Sequence, residues 1–184
     1  MQSEKIEVAE SSMTSLSMKN GMAESVGATG NYVVECFGPD GQVKWSENIE
    51  NIVVTVGKTD LLDNYFAGSS YTAAWYMGLV DGASTPTYAV GDTMSSHSGW
   101  VESTAYSNST RPTVSWNAAS AGSKASTSTS FNINATATII GAFMVTNSTK
   151  GGTTGTLYSA GSFSAGSRSV LSGDTLNITY TASV

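Results

Sequence analysis

The chain has little charge. Only 12% of its 184 residues are Asp, Glu, Lys or Arg, where roughly a quarter is ordinary for a globular domain. Exposed helices usually carry Glu and Lys pairs, and this chain has few of either to supply them. Ser and Thr take their place, with 53 residues together, beside 19 Gly. Because Thr suits strands and Gly suits turns, this composition predicts a mainly β fold.

Basic residues are scarce as well. The chain has eight Lys and Arg, dispersed along its length, and a formal net charge of −6. Binding to nucleic acid needs a concentrated basic face that neutralises phosphates. We therefore expect no nucleic-acid partner.

Long apolar runs are missing too. No stretch reaches the roughly 18 apolar residues of a membrane-spanning helix. The opening residues, MQSEKIEVAESS, lack the apolar core of a secretion signal. The sequence thus predicts no membrane partner.

Metal-ligating residues are almost absent. Cys36 and His97 are the only residues of their types, so no disulfide within the chain and no zinc-ligand spacing are possible. The aspartates do not follow the spacing of a calcium-binding loop. We expect no metal and no cofactor. Cys36 stands in an alternating apolar run and is interpreted as a small core residue.

Catalytic constellations are equally hard to find. His97 could join Asp81 or Asp92 and one of many serines in a Ser-His-Asp arrangement. No Gly-x-Ser-x-Gly turn or other nucleophile context accompanies them. The preferred interpretation is that His97 lies in a polar loop. The chain is predicted not to be an enzyme.

The first 30 residues differ from the rest. They contain most of the charged residues of the first part of the sequence. They also contain several glycines, which interrupt any continuous helical face. We predict an extended N-terminal arm over residues 1–30 and a single domain over residues 31–184. After Ala9 the arm carries five isolated larger apolar residues that are candidates for contact with other subunits: Met13, Leu16, Met18, Met22 and Val26.

The second part of the chain reads as a series of short strands. YVVECF and QVKWSE flank the turn sequence GPDG and predict a hairpin, and DTLNITYTA alternates at a period of two. A short helix is predicted over 58–66, with Leu61, Leu62, Tyr65 and Phe66 on its buried side. The fold predicted is a single β-sandwich, jelly-roll-like, with this one helix. Further strands are predicted at 51–56, 75–80, 111–116, 129–134, 136–146, 156–160 and 170–171.

Large aromatic side chains are numerous for one small sandwich. Most of them are expected in the core. Trp and Tyr are also enriched at interfaces between proteins, and Trp100 and Trp116 are our candidates for such an interface between subunits. A platform for carbohydrate is the other functional interpretation.

Four segments carry a resemblance to a known group of proteins: GPDGQVKWSENIENIVVTVGKTDLLD, WYMGLVDG, the Gly-Trp at 99–100, and the stretch from Gly141 to the last residue. They are similar to small structural proteins encoded among phage head and tail genes. The similarity covers roughly residues 31 to 184. The family has no catalytic residues to transfer.

The resemblance implies a decoration (cement) protein that lies on the capsid surface of the virion. Such a protein would be made in the cytoplasm of the host bacterium. Its implied partners are the major capsid protein and further copies of itself, as a homotrimer. The alternative is a head- or tail-fibre component that binds a host surface glycan. Copy number would separate the two, because decoration proteins are far more numerous on a particle than fibres. The sequence leaves the position on the virion open.

Overall fold

The computed structural model describes residues 27–67 and 74–184. These residues form twelve strands and one helix. The first strands are β1 (Thr29–Phe37), β2 (Val43–Glu50) and β3 (Ile52–Val53), followed by helix α1 (Thr55–Ala67). Next come β4 (Trp75–Asp81), β5 (Glu102–Ser103), β6 (Thr113–Val114), β7 (Ser123–Ala125) and β8 (Thr129–Asn132). The last are β9 (Ala137–Val145), β10 (Leu157–Ser162), β11 (Arg168–Val170) and β12 (Thr175–Ser183).

The strands form two antiparallel sheets that pack against each other. The first sheet has the order β2-β1-β12, and β7 and β8 pair with different parts of β12. The second sheet has the order β3-β10-β9-β4-β5, with β11 on β9 and β6 on β4. The predicted mainly β sandwich with one short helix is confirmed. The closer comparison with a jelly roll stays a prediction.

The first and last strands are neighbours in the first sheet. Nine residue pairs join them, from Thr29 opposite Ser183 to Phe37 opposite Thr175. Their inward side chains alternate with outward ones, as the period-two pattern of the sequence predicts. Strand β1 starts at Thr29, two residues before the predicted domain start at 31. Its pairing with β12 places both ends of the described chain at one end of the sandwich.

The predicted hairpin turn is also confirmed. Gly41 has a φ of 75° and donates its N–H to the carbonyl of Gly38 over 2.9 Å. Glycine adopts this left-handed backbone at little cost. The turn therefore joins β1 to β2 where the sequence GPDG predicts it.

Two apolar cores lie on opposite faces of the second sheet. One fills the space between the sheets, with Tyr32, Phe131 and Tyr180 fully buried. The other lies on the outer face of the second sheet and includes Val54, before α1, and Trp100, at the end of the long connection from Gly82. Burial on both faces explains why β9 reads as a continuous apolar run from Ile139 to Val145.

The helix differs from its prediction. It begins at Thr55, so the strand predicted over 51–56 shrinks to Ile52–Val53. Leu61 and Leu62 are 42% and 55% exposed, so their predicted burial is wrong. The helix instead approaches the second sheet at Gly57, where a Cβ would lie 2.7 Å from the carbonyl oxygen of Tyr158. One turn later Leu61 faces an open cleft. The side chains of Tyr65 and Phe66 lie outside the described part.

Among the described residues, no helix combines the length and the apolar character that crossing a membrane requires.

Candidate functional site

A cleft of about 180 Å³ opens at the end of the sandwich where β1 begins. We call it the aromatic cleft. Its lining combines large rings with a few polar side chains: Asp60, Leu61, Asn64, Trp75, Trp116, Lys124, Met144, Tyr158 and Ala182. Mostly apolar concave surfaces with a few polar groups are the usual form of binding sites.

Strand ends position the residues of the aromatic cleft. Trp75 is the first residue of β4, and Tyr158 is the second of β10. Ala182, near the end of β12, pairs with Lys124 of β7 on one side and with Gly30 of β1 on the other. The first strand therefore passes directly beside the cleft.

The rings of the aromatic cleft pack on one another and on the core. Trp75 meets Tyr158 edge to face, with ring centroids 5.4 Å apart. Trp116 and Tyr158 both meet the buried ring of Tyr180 edge to face, each at 6.3 Å. Burial raises the pKa of the Tyr158 hydroxyl, so this group stays neutral. Such pairs fix the walls of the cleft, while Trp75 and Trp116 remain half-buried.

The polar side chains of the cleft are partly engaged within the chain. Asn64 donates its side-chain N–H to the carbonyl of Asp60 at 2.8 Å, one turn earlier in α1. Lys124 donates from Nζ to the carbonyl of Asn117 at 2.8 Å. The cleft thus offers apolar contact on its walls and hydrogen bonding at a few fixed points. This arrangement suits binding.

The structure places the two tryptophans that we predicted at an interface, Trp100 and Trp116, in different surroundings. Trp116 lines the aromatic cleft. Trp100 is only 3% exposed and packs on Phe143 with ring centroids 5.0 Å apart. Its indole N–H donates to Asp92 Oδ2 at 3.1 Å. Trp100 therefore holds the long connection on the second sheet, and its predicted interface role stays a prediction. The five arm candidates lie outside the described residues: Met13, Leu16, Met18, Met22 and Val26.

His97 is engaged with Trp100. The two rings stack with centroids 3.9 Å apart, and His97 Nδ1 lies 3.1 Å from the carbonyl oxygen of Trp100. Asp92 accepts from the backbone N–H of Ala89 and from Trp100, and Asp81 accepts from the backbone N–H of Ala83. In the part of the chain that the structure describes, neither aspartate hydrogen-bonds to His97. This geometry favours a loop role for His97.

Cys36 is fully buried in the core between the sheets. Burial, with a smaller contribution from the nearby Asp174 carboxylate, raises the pKa of its thiol to about 11. A reactive thiol needs the opposite shift. Within the described ranges, no three His, Cys, Asp or Glu side chains are placed to hold a metal ion.

A second cleft, of about 410 Å³, lies between the turn after β1 and the turn before β12. Asp174 is buried beneath it and accepts, at Oδ2, from Lys44 Nζ at 2.5 Å and from the backbone N–H of Leu171 at 2.9 Å. Burial would raise the pKa of this carboxyl group, but the hydrogen bonds from Lys44 and Leu171 outweigh it, and the pKa is lowered. Asp174 ties the two turns together. Sequence reasoning did not identify it.

The outer face of the first sheet is broad and polar. Its outward side chains are mostly short amides and hydroxyls, and Ser130 donates to the side-chain oxygen of Asn177 at 2.6 Å. We call this surface the polar face, and its members in the paired central parts of β1, β2 and β12 are Asn31, Val33, Glu35, Ser46, Asn48, Glu50, Asn177, Thr179 and Thr181. It presents many hydrogen-bonding groups and little charge.

No model of a known protein family matches the chain, and no curated protein matches its sequence.

Proposed function

We propose that this chain is a structural, non-enzymatic protein of a tailed-phage virion that binds the outside of the capsid and bridges neighbouring subunits. The resemblance of residues 31 to 184 to phage structural proteins supports this proposal. The structural observation that carries it is the pairing of Gly30 with Ala182. This pairing places the junction with the N-terminal residues beside the aromatic cleft. One end of the domain therefore combines an attached polypeptide segment with a surface suited to apolar contact.

The sandwich supplies the rigid body that a bridging protein needs. Its first and last strands pair over nine residues. Arg111, fully buried, forms an ion pair with Glu102 and also donates to the carbonyls of Asn147 and Gly152. These bonds connect strand β5, the loop between β5 and β6, and the loop between β9 and β10. A domain with these connections can stay rigid when one end of it binds a partner.

The N-terminal arm supplies contacts over a wide area. A polar segment with isolated apolar residues can spread across several partner subunits, and ordering on binding has an entropic cost. A protein that binds only the assembled capsid stabilises that state by mass action. We further propose a homotrimer, which the resemblance implies, and sedimentation velocity would test it directly.

Co-sedimentation with capsids tests the proposed function. The reagent is capsids of the parent phage assembled without this protein. Full-length protein should saturate them, and protein lacking residues 1–26 should not, because the proposed anchor is removed. Far-UV circular dichroism and thermal unfolding would show that the truncated domain is folded.

A full-length variant provides a matched control for the truncation. In it Met13, Leu16, Met18, Met22 and Val26 are all replaced by Ser, so that length is kept and apolar contact is lost. It should bind as poorly as the truncated protein. Saturation of the capsid by truncated protein would show that the arm is not the anchor.

The aromatic cleft favours a second candidate function, binding of a host glycan by a head or tail fibre. Sugar rings have apolar faces that pack on aromatic rings, and their hydroxyls match groups such as Asp60 and Asn64. Titration with oligosaccharides from the host surface, followed by calorimetry, tests this candidate. Binding that is lost in Trp116→Ala would favour the fibre. Absence of binding would remove it.

A further inference from the structure

The aromatic cleft has room for one large apolar side chain. Its volume is about 180 Å³, and a cavity of about 150 Å³ with apolar walls holds a benzene molecule. Trp75, Trp116 and Tyr158 form its ring-bearing walls, and Met144 also lines it. Mostly apolar concave surfaces with a few polar groups are where binding usually takes place.

Residues 1–26 of the same chain are attached next to this cleft. Gly30 pairs with the cleft residue Ala182, and antiparallel partners lie about 4.5–5.5 Å apart between Cα atoms. The described residues begin at Gly27, three residues before Gly30 and so at most about 11 Å from it. Met22 precedes Gly27 by five residues, which span at most about 18 Å when fully extended. The side chain of Met22 can therefore reach the aromatic cleft. Attachment also raises its local concentration well above that of any free ligand.

Methionine suits this cleft in particular. Its side chain is unbranched and flexible, and its thioether makes favourable contacts with aromatic rings. Besides Met1, the N-terminal 26 residues contain Met13, Met18 and Met22 at separate positions along a largely polar segment. The three rings of the cleft supply the aromatic partners. A single inserted methionine would cover the open walls without bringing charge into contact with them.

We propose that, in the protein free of capsid, the aromatic cleft binds a methionine side chain of residues 13–22 of the same chain, with Met22 in the shortest reach. This inference rests on the proposed function, in which the same segment binds the capsid. The cleft then holds the capsid-binding segment on its own domain until the capsid competes for it.

Methionine-methyl NMR tests this directly. Full-length protein is labelled with ¹³C at the methionine methyl groups, and each resonance is assigned with Met→Leu variants. A methyl group held over aromatic rings is displaced upfield by their ring currents. We expect one of the Met13, Met18 and Met22 methyls to be displaced in this way. The displacement should not change on dilution of the protein.

Two variants link the displacement to the cleft. In Trp116→Ala the displaced methyl should return to the position of an exposed methionine. In the matched control Trp45→Ala it should not move, because Trp45 packs on Phe163 and does not line the cleft. In a variant in which Met13, Met18 and Met22 are all replaced by Ser, the cleft is intact but lacks its proposed occupants, so the Met144 methyl should shift. This second variant keeps the test valid if Trp116→Ala does not fold.

Several results would overturn the inference. One is that the methyl resonances of Met13, Met18 and Met22 all have the chemical shifts of exposed methionines. Another is a displacement that persists in Trp116→Ala. A displacement that disappears on dilution would assign the cleft to a second copy of the chain. A Met144 methyl that responds only to added host oligosaccharide would assign it to a glycan.

The two proposals fail separately. If removal of residues 1–26 abolishes capsid binding but no methyl is displaced, only the cleft assignment is wrong. If a methyl is displaced and the truncated protein still saturates capsids, only the proposed function of the arm is wrong.

Discussion

Arg111 and Glu102 form a doubly hydrogen-bonded ion pair that is almost completely shielded from solvent. Arg111 Nε lies 3.0 Å from Glu102 Oε1, and a terminal guanidinium nitrogen lies 2.7 Å from Oε2. The exposed fractions of the two side chains are 0% and 6%. Glu102 Oε2 also accepts from the backbone N–H of Gly151 at 2.8 Å. Each charge is thus satisfied by several partners, which is the condition under which a buried pair is tolerated.

Substitution of Glu102 by Leu should destabilise the domain strongly. It would leave the Arg111 charge buried without its counter-charge, which typically costs about 3–5 kcal/mol. Urea denaturation gives the free energy of unfolding. Lys58→Met, at an exposed position of α1, is the control and should change it by less than about 0.5 kcal/mol. Equal effects of the two substitutions would contradict the role assigned to the pair.

Substitution of Gly141 by Ala should also be costly. A Cβ at Gly141 would stand 2.0 Å from the carbonyl oxygen of Gly161 in the neighbouring strand β10. The backbone of both strands would have to move, and overpacking of this kind costs about 1–3 kcal/mol. Gly91→Ala is the matched control, because nothing lies within 4 Å of its Cβ position. Thermal unfolding should separate the two variants, and coincident curves would refute the close approach.

The Lys44–Asp174 pair should make the free energy of unfolding depend on pH in the acid range. The folded-state pKa of Asp174 is lowered from its ordinary value of 3.8, so its contribution is present above that value. It is lost as the pH falls further, through the folded-state pKa. The pKa of Lys44 is raised from 10.5 by the same hydrogen bond, so its contribution is lost only at alkaline pH.

The acid dependence is measured against Asp174→Asn. Urea denaturation from pH 7 to about pH 2 gives the difference in unfolding free energy between the native protein and this variant. That difference should be constant near neutrality and should shrink as the pH falls below 3.8. A difference that persists undiminished at the acid limit would disprove the lowered pKa.

Cys36 should resist alkylation in the native protein. It is fully buried, and its thiol has a pKa of about 11, so little thiolate exists at pH 8 and reagents cannot reach it. Mass spectrometry after treatment with iodoacetamide should show almost no modification until urea unfolds the chain. Because the chain has one cysteine, any modification reports this site. Fast labelling of the native protein would mean that the core around β1 opens readily.

The β-sandwich could be predicted because the long strands of its first sheet have one buried and one exposed face. In β12, Leu176, Ile178 and Tyr180 are buried and alternate with polar residues, so the period of two is directly visible. The turn at Gly41 was equally visible, because its backbone conformation favours glycine.

The remaining features depend on contacts that are distant in sequence. Leu61 and Leu62 follow a helical apolar pattern, yet the helix meets the second sheet at Gly57, a residue with no apolar side chain to indicate it. Trp100 stands in a polar connection, and nothing local shows that it covers the second sheet. The aromatic cleft combines Trp75 of β4 and Tyr158 of β10 with Trp116, which follows β6 by two residues. It becomes visible only when the strand ends are placed together.

The copy number of this chain per virion tests the central proposal most directly. Quantitative mass spectrometry of purified particles gives its molar ratio to the major capsid protein. A decoration protein that covers the shell predicts a near-stoichiometric ratio. A ratio lower by an order of magnitude or more would contradict it and favour a fibre, and complete absence of the chain from purified virions would contradict both functions.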